Sequence, residues 1–243
     1  MLNYAVVMTG LMAGLPARAG SWVLPCVCPV CGGTSAYRTG PFCAACWSGL
    51  EAWGAACARC GRRISAEGEC GPCTLAPPAQ EAMRHALAYE GRARDAVHVW
   101  KFGAAWYLTE PFADLLLPHL KSLPEAFAEA PLTFVPPHPW RLLRKDFHPP
   151  LLLARALGAR TGRPVVSLLA KTSLRRPQTA LPRKKRLTNV RGTFTLRKDA
   201  APPEAAIVVD DIATTGATLR ETLAVLVRAG VRHAAALSLA RTP

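Results

Sequence analysis

Short apolar runs and amphipathic segments alternate along the chain, and the clearest such unit lies near its carboxyl end. The β-branched run Ile207 to Val209 predicts a strand buried on both faces. Two carboxylates, Asp210 and Asp211, follow where that strand is expected to end, and a loop of small and hydroxyl side chains leads into a helix predicted over 219–229. Strand, acid pair, tight loop and helix in this order are typical of a ligand site at the carboxyl edge of a parallel sheet.

Further strands and helices are predicted upstream and downstream of this unit. The hydrophobic pattern favours strands over 84–89, 132–135, 165–169, 192–196 and 233–239, and helices over 92–102, 107–120 and 151–159. Because strands alternate with helices, we expect an α/β fold with a mainly parallel sheet. Three aromatics, Trp100, Phe102 and Trp106, are most simply interpreted as core residues.

The nine cysteines all lie between residues 26 and 73, which marks a separate N-terminal module. Eight of them form four CxxC pairs, and Cys26 is left over as a bystander or a substitute ligand. Eight thiolates suit two tetrahedral zinc sites of four cysteines each, with a structural or docking role. Consecutive pairing is the simplest arrangement, an interleaved cross-brace is the alternative, and disulfides are disfavoured because the rest of the chain has no cysteine. The predicted metal ligands are Cys28, Cys31, Cys43, Cys46, Cys57, Cys60, Cys70 and Cys73.

Residues 1–25 are mildly apolar, and Ala17-Arg18-Ala19 imitates the cleavage site of a signal peptide. No basic residue precedes the apolar run, and glycines and a proline interrupt it, so a membrane span is not expected. A short docked helix or a mis-assigned start codon is favoured over export, and the protein is expected to be cytoplasmic. The expected organisation is an apolar segment over 1–25, a zinc-ribbon-like double-zinc module with a linker over 26–80, and a third domain over 81–243.

Charge adds the expectation of a polyanionic partner. The chain has 30 Lys and Arg against 16 Asp and Glu, with a pI near 9.9. Residues 171–198 contain ten basic residues and no acidic one, and prolines break regular structure there. A loop of this charge favours pyrophosphate or a nucleic-acid backbone as its ligand. The alternatives are a solvated surface run and a basic bias of the whole composition.

The loop after the acid pair has the chemistry of a phosphate site. The first N–H groups of a helix attract an anion, and Gly216 lets the backbone approach it closely. No lysine is present in this loop, which excludes a GxxxxGK[ST] nucleotide loop. The two aspartates suit ribose hydroxyls or Mg²⁺ better than a phosphate. A ligand with a phosphate at one end and a polyol beside it fits both halves.

This stretch resembles the signature of type I phosphoribosyltransferases, which bind phosphoribosyl pyrophosphate (PRPP). The chain from about residue 26 onward resembles the ComF family, which joins a zinc module to a phosphoribosyltransferase-like domain. The matching motifs are the CxxC pairs, Tyr89-Glu-Gly91, Lys101-Phe102-Gly103, Pro136-Pro137-His138-Pro139, Gln178-x-x-Leu181, Asn189-Val190-Arg191-Gly192-x-Phe194 and the loop from Asp210 to Thr218.

The resemblance implies a set of site residues and a biological setting. PRPP would be bound, with Mg²⁺, by Asp210, Asp211, Ala213, Thr214, Thr215, Gly216, Ala217 and Thr218. Pyrophosphate would lie near Pro137, His138, Arg141, Arg175, Arg183, Lys184, Lys185 and Arg186. The family is associated with natural transformation, which implies single-stranded DNA and competence or recombination proteins as partners.

One segment departs from the family pattern. The family continues its proline-rich turn as Arg-Gly-Phe-Asn-Gln, whereas this chain has Lys145 to Pro149, with different residues at the glycine, asparagine and glutamine positions. Three interpretations are open: the activity is altered, His148 makes the hydrogen bond that another residue makes in the family, or the segment has drifted under weak selection. The catalytic residues and the acceptor are unknown. The alternative functions are a non-catalytic protein that binds single-stranded DNA through residues 171–198, and a nucleobase salvage transferase.

Overall fold

The computed structural model describes residues 26–35, 41–65, 68–103, 105–137, 147–172 and 192–243. The chain divides into two compact units, residues 1–50 and 51–243. The first group of four cysteines therefore lies in one unit, and the second lies in the same unit as the α/β body. The division into 1–25, 26–80 and 81–243 stays a prediction. Within the described ranges, no helix is both long enough and apolar enough to cross a bilayer.

The first unit contains little regular structure. Strand β1 (Cys26–Val27) pairs antiparallel with β2 (Thr34–Ser35), and helix α1 spans Ala44–Ser48. Cys43 precedes α1, and its sulfur accepts a hydrogen bond from Cys46 N. Elements this short bury little apolar area, so a bound metal is expected to supply the folding free energy.

The second unit is built on a four-stranded parallel sheet with strand order β3-β8-β7-β4. Its elements in chain order are α2 (Gly71–Leu75), β3 (Ala82–Ala88), α3 (Gly91–Phe102), a 3-10 turn (Trp106–Leu108), α4 (Thr109–Lys121), a 3-10 turn (Glu125–Phe127), β4 (Leu132–Phe134), α5 (Pro149–Thr161), β5 (Leu169–Lys171), β6 (Phe194–Leu196), β7 (Ala205–Ala213), α6 (Ala217–Arg228) and β8 (His233–Arg241). The predicted α/β class with a mainly parallel sheet is confirmed.

The core lies on both faces of the two central strands. Ala206 and Val208 of β7 pack with Leu219 and Leu223 of α6, and helices α4 and α5 contact β8 and β7 respectively. Successive side chains of a strand point to opposite faces, so a strand covered on both faces needs the continuous apolar run seen at 205–209. Because these apolar residues are buried, the position of β7 in the sheet is set, and its polar carboxyl end lies at the edge of the core.

Two predictions about the sheet and the core were wrong in part. A strand was predicted over 165–169, but Val165 makes only an isolated parallel bridge to Leu132. Leu168 N bonds the side chain of Thr133 instead of a strand carbonyl, and the chain leaves the parallel sheet there. The next strand, β5, pairs antiparallel with β6. Trp100 is buried as predicted, whereas Phe102 is 58% exposed and Trp106 is 65% exposed.

Candidate functional site

The acid pair lies inside β7 rather than after it. The strand continues to Ala213, with Asp210 opposite Ser238 and Ala213 opposite Arg241 of β8. Asp210 is only 7% exposed, and its Oδ1 accepts the Asp211 N–H at 2.9 Å. The sequence placed the strand end too early because carboxylates are rare in buried strands. Their presence there is a departure from local preference that a ligand site explains.

Two lysines complete the electrostatics of this acid pair. Lys101 Nζ of α3 lies 2.8 Å from Asp211 Oδ2, and both side chains are largely buried. Burial, and secondly the charge of Asp211, raise the pKa of the Asp210 carboxyl well above its usual range, while Lys101 and Lys171 oppose this shift. Neither lysine was predicted as a site residue. The only sequence signals were the Lys101-Phe102-Gly103 motif and the position of Lys171 at the start of the basic segment.

The predicted phosphate loop follows directly at the carboxyl end of β7. Gly216 has φ +71° and ends the loop, and α6 begins at Ala217. This left-handed conformation favours glycine. Gly216 offers no side-chain cap, and Thr215 Oγ1 accepts the Ala217 N–H at 3.3 Å. A loop of this form presents helix N–H groups and threonine hydroxyls beside the two carboxylates.

The predicted pyrophosphate residues fall largely outside the described part of the chain. Pro137 follows β4, where Val135 N bonds Val209 O, so it comes to the same edge of the sheet as the acid pair. His138, Arg141 and the basic residues Arg175, Arg183, Lys184, Lys185 and Arg186 lie outside the described residues. Their assignment stays a prediction.

The cysteines form two groups of four in the consecutive arrangement. One group is Cys28, Cys31, Cys43 and Cys46, and the other is Cys57, Cys60, Cys70 and Cys73. In each group all sulfurs lie within 4.8 Å of one another, and one pair in each, Cys31 with Cys43 and Cys60 with Cys70, lies at 3.6 Å. Zn–S bonds of about 2.3 Å give tetrahedral S–S edges of about 3.8 Å. Both groups therefore fit structural zinc.

One cysteine of each group, Cys28 or Cys57, lies in a turn that stabilises its thiolate. Gly32 and Gly61 adopt positive φ, at +73° and +65°, and donate backbone N–H groups to the carbonyls of Cys28 and Cys57. Burial by itself raises the pKa of Cys57, but hydrogen bonds from the backbone of residues 60, 70 and 59 outweigh it and lower the pKa to about 6. Cys28 has a pKa of about 6 by the same balance. A thiol that ionises this readily is a ready zinc ligand.

The knuckle of residues 57–62, which belongs to the second group of cysteines, is hydrogen-bonded to the α/β body. Arg241, at the end of β8, donates to Cys60 O at 2.7 Å and contacts His85 Nε2 at 2.9 Å. Arg84 of β3 donates to Ala58 O. Trp53 Nε1 donates to Gly61 O at 2.8 Å. The second group of four cysteines is thus attached to β3 and to the end of β8 by buried and half-buried donors.

The comparisons with known proteins support the zinc module. Residues 19–74 match the double zinc ribbon domain. No curated protein matches the chain. Because the match covers well under half of the chain, it describes the N-terminal region alone.

Three enzymes are among the solved structures that resemble the chain. An allosteric regulatory enzyme of purine biosynthesis aligns with 54% of this chain at 18% identity and TM-score 0.36, and the alignment spans only 25% of that enzyme. Orotate phosphoribosyltransferase from Aeropyrum pernix aligns with 59% at 18% identity and TM-score 0.32, over 63% of its length. Adenine phosphoribosyltransferase from Leishmania tarentolae aligns with 59% at 14% identity and TM-score 0.36, over 74% of its length.

At these TM-scores the likeness carries no argument about ligand or activity. The acid pair, its lysines and the loop from Thr214 to Thr218 together form the candidate site. The chain joins an N-terminal double zinc ribbon region to an α/β body with a parallel sheet.

Proposed function

We propose that the protein binds PRPP with Mg²⁺ at the carboxyl end of β7, as a ComF-type phosphoribosyltransferase-like protein. The observation that carries this proposal is the pair of carboxylates near the end of a buried parallel strand, directly before a glycine-ended loop and a helix N-terminus. Such burial of charge is costly and is typically retained at functional sites.

Each part of the site suits one part of this ligand. The loop from Ala213 to Thr218 would bind the 5′-phosphate through backbone N–H groups and hydroxyls. Asp210 and Asp211 would accept hydrogen bonds from the ribose hydroxyls, and their oxygens are also the ligand type that Mg²⁺ prefers. The ion would supply charge neutralisation at the pyrophosphate.

The remaining charges would act on the pyrophosphate end. Lys101, now paired with Asp211, is placed to balance the charge of the acid pair when ligand is bound. The residues after Pro137 and the basic loop 175–186 would stabilise the leaving pyrophosphate as an oxocarbenium-like centre develops at C1. No described residue is in position to be named as a general base, so the acceptor is left unassigned.

Isothermal titration of the zinc-loaded chain with PRPP and Mg²⁺ tests this proposal. We expect Asp211→Asn to weaken binding by at least about tenfold, because hydrogen bonds to charged groups contribute about 1.5–3 kcal/mol. Asp95→Asn is the matched control, since Asp95 lies exposed on α3 and pairs only weakly with Arg92 at 3.9 Å. No PRPP binding by the folded wild type, or equal effects of the two variants, would contradict the proposal.

A second candidate, binding of single-stranded DNA, is favoured by one specific observation. Phe102, Trp106 and Tyr107 are 58%, 65% and 46% exposed. Exposed aromatics bind single strands by stacking, at about 1–3 kcal/mol per base. Together with the basic segment 171–198, this surface supports a role in DNA uptake and natural transformation within the cytoplasm, as the ComF resemblance implies.

Fluorescence anisotropy with a labelled oligothymidine tests this candidate. Trp106→Ala is expected to weaken binding about tenfold, and Trp106→Phe, which keeps a stacking face, is expected to retain most of the affinity. Binding that is insensitive to Trp106→Ala removes the aromatic surface from the account. Nucleobase salvage remains the third candidate, and release of pyrophosphate on addition of standard nucleobases with PRPP would support it.

A further inference from the structure

A cleft of about 570 Å³ lies within residues 51–243, between the second group of four cysteines and the loop after β7. Cys60, Cys70 and Cys73 line one side, and Thr214 and Thr215 line another. This volume lies within the range of small-molecule sites, about 300–1,000 Å³. The cleft therefore offers room for a ligand beside the proposed phosphoribosyl loop.

Arginine is the commonest charged side chain in the walls of the cleft. Four arginines, at positions 62, 63, 220 and 241, line it. Arg63 is paired with Glu51 at 2.9 Å, and Arg241 is bonded to Cys60 O. Arg62 and Arg220 have no carboxylate partner among the residues that the structure describes. The negative charges facing these arginines are the Glu51 carboxylate, the carboxyl group of Pro243 and the two net negative charges of a zinc ion with four thiolates. Arg62 and Arg220 are therefore the guanidinium groups placed to bind an anionic ligand.

A buried amide provides a second, independent sign of a ligand. Gln80 lines the cleft and is only 2% exposed, yet its Nε2 has no hydrogen-bond partner among the described residues. An unpaired buried polar group costs about 1–3 kcal/mol, and native structures rarely keep one without a reason. A ligand oxygen in the cleft would accept this hydrogen bond.

We propose that this cleft binds a phosphate group of a second ligand, separate from the 5′-phosphate on the loop from Thr214 to Thr218. A carboxylate is planar and is satisfied by one bidentate arginine, whereas a tetrahedral phosphate accepts hydrogen bonds from several directions. Arg62, Arg220 and Gln80 Nε2 are donors of the latter kind. The ligand class is thus a phosphomonoester or phosphodiester rather than a free nucleobase.

This inference rests on the proposed function only for the role of the second ligand as an acceptor or co-ligand. If PRPP binds after β7, the cleft identifies the acceptor or co-ligand as a phosphorylated molecule. The binding of phosphate by the cleft stands on its own residues and can be measured without PRPP.

Titrations of the zinc-loaded full chain with three probes test the inference. The probes are thymidine, thymidine 5′-monophosphate, and the dinucleotide TpT without terminal phosphates. We expect at least one phosphorylated probe to bind more than tenfold tighter than thymidine, and the preference between them distinguishes a monoester from a diester ligand. Equal affinity for all three probes overturns the inference.

Two variants and one control locate the binding. Arg62→Gln and Gln80→Leu are each expected to weaken binding of the preferred phosphorylated probe about tenfold or more. Arg232→Gln removes the same charge from an exposed surface pair with Glu204 and is expected to change nothing. Thermal melting checks folding. A Gln80→Leu protein that is more stable than wild type but binds the probe equally well overturns the role of the amide and the inference with it.

Competition separates this site from the PRPP site. The same titrations are repeated with saturating PRPP and Mg²⁺, and PRPP affinity is measured for each variant. Displacement of the probe by PRPP, or an equal loss of PRPP affinity in Arg62→Gln and Gln80→Leu, shows a single site and refutes the inference. Probe binding that persists in a wild type without PRPP binding supports the cleft and contradicts the proposed function.

Discussion

Replacing Cys73 by serine should destabilise the whole α/β body, because the second zinc site is attached to the sheet. Three side-chain donors, Arg241, Arg84 and Trp53, bond carbonyls in the 57–62 knuckle. A hydrogen bond from a charged donor contributes about 1.5–3 kcal/mol to the free energy of unfolding, and one from a neutral donor about 0.5–1.5 kcal/mol. Two charged donors and one neutral donor therefore contribute roughly 4–7 kcal/mol. That is a large part of the stability of a typical domain, about 5–15 kcal/mol.

The corresponding thermal shift is large enough to measure directly. At about 2–4 °C per kcal/mol for a protein of this size, loss of the knuckle lowers the Tm by on the order of 10–25 °C. The assay is thermal unfolding followed by circular dichroism, with zinc content measured by mass spectrometry. Cys46→Ser is the matched control, because Cys46 is the last ligand of the first group, is also buried, and lies in the unit 1–50.

We expect Cys73→Ser to lose one zinc and most of this stability, and Cys46→Ser to lose one zinc while the body melts within a few degrees of wild type. A Cys73→Ser protein that lacks the zinc and yet melts with the wild type would refute the reasoning.

Three further predictions concern the proposed phosphoribosyl site and the knuckle of residues 57–62. Burial raises the pKa of Asp210, and the proposed ligand would be bound by the ionised carboxylate. PRPP affinity should therefore rise with pH through the raised pKa, and calorimetry in buffers of different ionisation enthalpy should detect proton release on binding. A pH-independent affinity would contradict this prediction. Gly216→Ala should cost about 1–2 kcal/mol of unfolding free energy and weaken PRPP binding, since alanine is strained at φ +71°; unchanged melting and binding would count against it. Gly61→Ala should destabilise the knuckle and lower the melting temperature, because its Cβ would clash with His85 Nε2, and a wild-type melting curve would argue against that clash.

The sequence predicted the sheet and the CxxC pairs because both depend on local patterns. An apolar β-branched run reports burial on both faces, and CxxC followed by glycine reports a metal knuckle. The grouping of Cys28 with Cys43 rather than with the second set of cysteines needed the structure, because loop lengths permit both arrangements.

The features that the sequence could not supply are contacts between distant segments. Lys101 meets Asp211 across more than a hundred residues, and Gln80 faces a cleft whose other walls come from the knuckle and from α6. The exposure of Phe102 and Trp106 was missed for a related reason, since aromatic residues at helical spacing are ordinarily buried. The strand end at Ala213 was missed because Asp210 and Asp211 lie inside the strand, where local preference disfavours carboxylates.

A crystal structure of the zinc-loaded chain soaked with PRPP and Mg²⁺ tests the central claim most directly. The account predicts density for the 5′-phosphate over the loop from Thr214 to Thr218 and for the ribose hydroxyls within hydrogen-bond distance of Asp210 and Asp211. Density for PRPP elsewhere, or none at the end of β7 under saturating ligand, would contradict it.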